Sequence, residues 1–397
     1  MELSMIEASS KLLKAMWAPV PTPIKRPVRV VLIKLQRLPN WLSVKARRIW
    51  PFLPEGIRRL FRFVGSRRSL GLGLFDRVPA TELIARRYAQ IVSGNAKSIR
   101  GFEIELASKA DAEEMIRLAL LAQQRELYSD LVTFLESFRY HFPSPPSDPF
   151  SFAYRDFWLA QYEILAQKRY EVANEHHDFD IESLLARPHP YNTRDQRVIG
   201  AHVVAAGTIL GCIPKSPPAR ILEMGVGFGN TALQMGLSGY DVTVLDIEKK
   251  HLEIVSQRFK REGLSVRCLH QEFLDIEALD ERFDAIVFYE CFHHCIDHQR
   301  LLIALRKKLT EGGAIIFAGE TINEALPYAW GLNPTGQGIW SIRHHGWMEL
   351  VFKKSYFLEL LTRHGFAVEE NSNPASAQSW VFTARPIREF ASSQPPG

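Results

Sequence analysis

The chain has 397 residues, 46% hydrophobic and 23% charged. These proportions exclude a disordered or fibrous protein and leave room for two or three domains. The formal net charge of +5 is mild, and the four cysteines (Cys212, Cys268, Cys291, Cys295) are too few for a disulfide scaffold; they fit a reducing compartment. Glu2 and Glu7 stand where a signal peptide would be basic, and no apolar run approaches the ~20 residues that span a bilayer. The expected location is cytoplasmic.

Residues 1–70 form a first region. Between Lys11 and Arg68 lie fifteen Lys and Arg and a single acid, Glu55, interleaved with Trp41, Trp50, Phe52, Phe61 and Phe63. Basic amphipathic segments of this kind suit the anionic face of a membrane, which would make the protein peripheral on its inner side. The same composition also suits a solvated helical face, and nucleic acid is the least favoured partner because no recognised motif accompanies the charge.

Residues 71–194 read as a helical region. ATELIARRYAQIVSG and DAEEMIRLALLAQQRELYSDLVTFLESFRYHF place apolar residues three and four apart across 80–140. PSPPSDP (143–149) breaks the pattern, 151–185 reads as helix again, and ARPHPYNTRD (186–195) is a loop. A further helix is expected from about Asp195 to Leu210, ahead of PKSPP (214–218).

From Ala219 the texture changes. RILEMG, YDVTVLD, SVRCLH, FDAIVFYE and GGAIIFAGE alternate with helical stretches, which predicts an α/β fold with a doubly wound, largely parallel sheet. The first strand runs into ILEMGVGFGN (221–230), where Gly225, Gly227 and Gly229 alternate with single residues. Glycines there permit a sharp turn or close approach of a ligand. No Lys-Ser/Thr pair follows, so this is not a phosphate loop. A dinucleotide fingerprint would need its third glycine at position 230, which is Asn230, and Glu223 would repel a pyrophosphate. Asp246, closing the second strand, suits the two hydroxyls of a ribose, and Glu272, after the third, could accept from an adenine amino group. Their rival roles are structural: a capped turn for Glu223, a helix N-cap for Asp246.

This constellation resembles the class I S-adenosylmethionine-dependent methyltransferases over about residues 195–390. The resemblance rests on Glu223 with Gly225, Gly227 and Gly229, on Asp246 at the end of VTVLD, on Glu272 in EFLD, and on the strand–helix–strand pattern of 283–320. SYFLELLTRHGFAVEEN and SWVFTARP look like that family's last helix and antiparallel terminal hairpin. The resemblance implies a Rossmann-like sheet with an antiparallel last strand, preceded by the mostly helical N-terminal region. It also implies S-adenosyl-L-methionine as cofactor, held by Glu223, Gly225, Gly227, Gly229, Asp246, Ile247, Glu272 and Phe273. The expected reaction is O-methylation of a small-molecule, glycan or lipid-linked acceptor. The alternative is a non-catalytic cofactor-binding or membrane-associated interaction protein with the same fold.

CFHHCIDH (291–298) invites a zinc reading, but structural zinc sites usually pair two such clusters and no second one is apparent. The expectation is therefore no metal, with Cys291 and Cys295 as small apolar packing residues. His294, at the carboxyl edge of the sheet, is a candidate general base or a residue that shapes the pocket. His345, in SIRHHGW, is a rival base within an insertion (about 321–348) rich in Tyr and Trp, which could act as a lid.

Overall fold

The computed structural model describes residues 80–92, 104–124, 128–176, 178–186, 196–372 and 380–388. The reading of residues 1–70 lies outside them.

A seven-stranded sheet forms the centre. Strands β3 (Arg220–Met224), β4 (Asp241–Asp246), β5 (Arg267–His270), β6 (Phe283–Tyr289) and β7 (Leu309–Ala318) are parallel, and β10 (Phe366–Ser372) and β11 (Trp380–Pro386) complete it. The order is β10-β11-β7-β6-β3-β4-β5. β11 runs antiparallel to both β7 and β10, the expected antiparallel last strand. β3, β6 and β7 are mostly apolar along their buried stretches because both faces of the sheet are covered there, with Glu223 the buried exception in β3. Ile221, Val244, Val287 and Ile316 point into one core layer, and their chain neighbours Leu222, Leu245, Phe288 and Phe317 into the other.

The first layer is closed by helices α6 (Gln196–Cys212), α7 (Asn230–Leu237) and α8 (Lys249–Arg261), through Ile209, Met235 and Phe259. The second is closed by α9 (His298–Lys307) and α11 (Lys354–Arg363), and it continues into the segment upstream of the sheet. That segment holds α1 (Ala80–Val92), α2 (Lys109–Gln124), α3 (Tyr128–Leu135), α4 (Phe152–Ala166) and α5 (Ile181–Ala186). Two three-residue strands, β1 (Ile104–Leu106) and β2 (Phe138–Tyr140), pair in parallel among them. Helical periodicity over 80–140 misses this pair, because strands so short carry no period of their own. The helix expected over 151–185 ends at Ala166, where Gln167 takes a left-handed conformation (φ 58°); Ser151 caps its start by accepting from the Tyr154 amide.

An insertion between β7 and α11 carries the antiparallel pair β8 (Trp330–Leu332) and β9 (Leu350–Phe352), with the short helix α10 (Gly336–Trp340) between them. Helix α4 docks on it. The Tyr154 hydroxyl donates to the Trp330 carbonyl (3.0 Å), the Trp330 indole donates to the Pro149 carbonyl (2.8 Å), and the Tyr162 hydroxyl donates to the Gly346 carbonyl. Trp158, fully buried, lies so close to β8 that a side chain at Gly331 would meet its indole at 2.2 Å. On the other side, the Arg155 guanidinium pairs with both carboxylate oxygens of Asp297 (2.5 and 3.1 Å) at the start of α9. The described residues all fall within one compact unit.

Candidate active site

The chain turns back from β3 toward one edge of the sheet and, from β6, toward the other. The carboxyl ends of these two neighbouring strands therefore leave a crevice, where open α/β sheets bind ligands. Gly225, Gly227 and Gly229 all take positive φ (64°, 51° and 70°) in the turn after β3. A Cβ at Gly225 would stand 2.9 Å from that of Cys291, so glycine is required where the two strand ends meet. A Cβ at Gly229 would strike Val255 of α8 at 2.5 Å. At Gly227 it would meet nothing within 4 Å, so there the backbone borders open space.

That space is a cavity of about 560 Å³, bordered by Gly225, Gly227, Asp246, Ile247, Glu272, Phe273 and His294, seven of the ten residues singled out in the sequence. Asp246 is buried, and its carboxylate accepts from the Gly227 and Glu248 amides (3.0 and 2.8 Å). It thus ties the glycine turn to the start of α8. Glu272 caps the 3₁₀ turn Phe273–Ala278; burial, then the nearby Asp275, raises its carboxyl. Glu223, Gly229 and His345 do not border the cavity. Gly229 packs against α8. His345 stacks on Trp347 (4.3 Å between centroids), and it is Trp347 that reaches the cavity. Glu223 is buried in β3 beneath the turn, its Oε2 has no hydrogen-bond partner among the described residues, and burial pushes its pKa up to about 8.

Sequence reasoning missed two walls. One is the stretch from Tyr170 to Leu184, which brings Tyr170, Glu175 and Phe179 over the crevice. Phe179 stacks on His251 (4.8 Å, 23°), the Lys250 ammonium reaches Asp178 and the Phe179 carbonyl, and His176 meets Glu248 at 3.2 Å. The other is the turn after β6. Glu290 there has φ 53°, costly for a side chain other than glycine and common at functional sites. It borders the cavity, and burial raises its pKa to about 7. Glu320, at the end of β7, fixes this turn by accepting from the amides of Cys291, Phe292 and His293 and from His293 Nδ1 (2.7–3.2 Å). Burial opposes its charge, but His293 and these amides hold its pKa below the usual range. Cys291 and Cys295 are buried, which raises both thiols, and the Cys291 thiol donates to the Met224 carbonyl.

His294 stands with Nδ1 3.3 Å from Glu175 Oε2. Burial lowers its pKa, but Glu175, then Glu349 and Glu320, outweigh this and raise it to about 9. Of the two groups expected as bases, His294 borders the cavity and His345 stands behind Trp347. Glu290, near 7, has the proton affinity that general-base chemistry favours.

Residues 222–317 match the family described as "Methyltransferase domain". The C-terminal half is a class I S-adenosylmethionine-dependent methyltransferase domain. Over 156 residues the chain is 27% identical to the malonyl-[acyl-carrier protein] O-methyltransferase of Paenibacillus sp. (strain JDR-2), covering 36% of this chain and 56% of that protein. Over 172 residues it is 26% identical to the ubiquinone biosynthesis O-methyltransferase of Pectobacterium carotovorum subsp. carotovorum (strain PC1), covering 43% and 63%. It thus spans less than two thirds of the length of these curated relatives. Among solved structures, N-methyltransferase NodS from Bradyrhizobium japonicum WM9, in complex with S-adenosyl-L-homocysteine, aligns at a TM-score of 0.35 and 18% identity, covering 51% of this chain and 94% of that one.

The residues of the methyltransferase domain fit its cofactor. The open side of Gly227 lets a nucleoside lie against bare backbone, as a side chain would not. Asp246 reaches the cavity beside it, and Glu272 and Phe273 border it just past the end of β5.

Proposed function

We propose that this protein transfers a methyl group from S-adenosylmethionine to an oxygen atom of a small-molecule acceptor. The observation that carries this reading is the two-ended cavity. One end is bare glycine backbone with Asp246 and Glu272; the other is Glu290, His294 and Trp347. Its volume of about 560 Å³ falls within the range of about 300–1,000 Å³ usual for small-molecule sites. When bound, the cofactor supplies an electrophilic methyl group on a sulfonium. The chain's own contribution is positioning. Gly225 and Gly227 let backbone approach, Asp246 takes the ribose, and the Tyr170–Leu184 wall keeps water out. At the acceptor end, Glu290 accepts the hydroxyl proton, beside the His294 ring that shapes this end of the cavity. The names of the two relatives, both O-methyltransferases, support oxygen as the acceptor atom. A glycan or lipid-linked acceptor is a narrower form of the same reading, tied to what residues 1–70 bind.

Calorimetric titration with S-adenosylhomocysteine and with NAD tests the cofactor; binding of NAD alone would overturn it. Turnover with methyl-labelled S-adenosylmethionine against phenols, carboxylic acids and amines of similar size then tests the acceptor atom. Label transferred to amines and not to oxygen would overturn the second half.

A further inference from the structure

The acceptor end of the cavity holds a group of side chains that cofactor binding does not use. His293 and His294, on the turn after β6, and Glu349, next to β9 of the insertion, each bring one ligand atom to within 4.8 Å of the others. His293 Nε2 and Glu349 Oε2 are 3.9 Å apart. His293 faces a carboxylate with its opposite nitrogen, Nδ1 lying 2.7 Å from Glu320 Oε2, while His294 Nδ1 lies 3.3 Å from Glu175 Oε2, within ion-pair distance but not aligned as a hydrogen bond. A carboxylate on one ring nitrogen is the usual outer support of a metal-bound histidine, because it fixes the ring and makes the other nitrogen a better donor.

These supports are themselves anchored. Glu320 is buried and accepts three backbone amides, while Glu175 accepts from the Met348 amide (2.7 Å), one residue before Glu349. The two histidine rings lie 4.3 Å apart between centroids. Four carboxylates, from Glu175, Glu290, Glu320 and Glu349, gather around two imidazoles.

We propose that His293, His294 and Glu349 bind a divalent transition-metal ion, with Glu320 and Glu175 as outer supports. Two imidazoles and one carboxylate suit zinc and its neighbours, and such a three-residue set leaves coordination positions open. His294 borders the cavity, so an open position faces the acceptor. The ion would hold the acceptor's oxygen and favour loss of its proton. That role rests on the methyltransferase reading; the site itself does not. It differs from the zinc site that CFHHC suggests, because its third ligand comes from Glu349 and the cysteines take no part.

The test uses untagged full-length protein stripped with a chelator, then dialysed against Zn²⁺ and separately against Co²⁺. Elemental analysis and the visible bands of bound Co²⁺ are the readouts. The expected result is one ion per chain, with affinity weakened at least ~10-fold in both His293→Ala and Glu349→Gln. It is unchanged in Cys291→Ser/Cys295→Ser. Glu349→Gln guards against a folding defect in the histidine variant, and titration with S-adenosylhomocysteine checks that each variant keeps its cofactor site. Wild-type protein that binds no stoichiometric ion would overturn the proposal. So would an ion lost only with the cysteines, or retained in both His293→Ala and Glu349→Gln. Metal binding without any binding of S-adenosylhomocysteine would remove the methyltransferase reading and leave this site standing.

Discussion

Glu223 offers a sharp test because its environment converts directly into a pH dependence. It is 3% exposed, and its carboxyl titrates at about 8 when folded, chiefly because burial disfavours the charged form. In the unfolded chain a glutamate titrates near ~4.3. Between these values the folded state holds more protons than the unfolded state, so stability falls as pH rises through that window. From pH 5 to pH 8 the loss approaches ~4 kcal/mol, at ~1.4 kcal/mol per pH unit. Glu223→Gln keeps the shape and cannot ionise. With ~2.1 cal/mol/K of unfolding entropy per residue over roughly 320 residues from Val78 onward, ~4 kcal/mol corresponds to about 6 °C in the melting midpoint. The variant should therefore melt close to wild type at pH 5 and about 6 °C above it at pH 8. Other titrating groups act on both proteins alike, so the difference between the two curves is the measurement. A difference that stays constant from pH 5 to 8, by scanning calorimetry of the full chain, would show that Glu223 is ionised in the folded protein and refute the reasoning.

Asp246→Asn should weaken binding of S-adenosylhomocysteine by about 1–3 kcal/mol, through loss of charge-assisted hydrogen bonds; unaltered affinity in a folded variant would take Asp246 out of the site. Gly331→Ala forces a methyl group against the indole of the fully buried Trp158. It should cost about 1–3 kcal/mol, seen as a lower melting midpoint, whereas an unmoved midpoint would mean that helix α4 is not seated on the insertion. Residues 1–70 should carry the protein onto anionic vesicles in a salt-sensitive manner, each basic residue near the surface adding up to ~1 kcal/mol. Sedimentation in which the full chain ignores such vesicles at low salt would end that reading.

The sheet was legible because its central strands are buried on both faces and so read as short, mostly apolar stretches. The glycine turn was legible for a related reason. Positive φ at three positions leaves few residue types available, so Gly225, Gly227 and Gly229 stand out. Glu290 has the same left-handed backbone without the glycine, and nothing in its neighbours announces it. The wall from Tyr170 to Leu184 is held by contacts to His251, Lys250 and Glu248, about 70 residues downstream, and no local period reports such contacts. Glu349 is likewise silent until the insertion folds it beside His293. His345 misled because a pair of histidines among tryptophans reads as chemistry, whereas its ring packs on Trp347. A breaker-free stretch over 151–185 suggested one long helix, and the left-handed Gln167 ends it early.

Helix α4 holds the insertion through Tyr154 and Tyr162, and at Arg155 it grips the start of α9 beside the cavity. The chain leaving this helix goes on to form the wall over the crevice. Two stretches separated by most of the central sheet's strands are thus bolted to one rod. Anyone grafting the substrate preference of a related enzyme onto this scaffold would have to transplant residues 150–186 and 321–349 as a matched pair. Exchanging either alone would leave mismatched partners across α4, and the first casualty would be the orientation of the turn that carries Glu290 and His294.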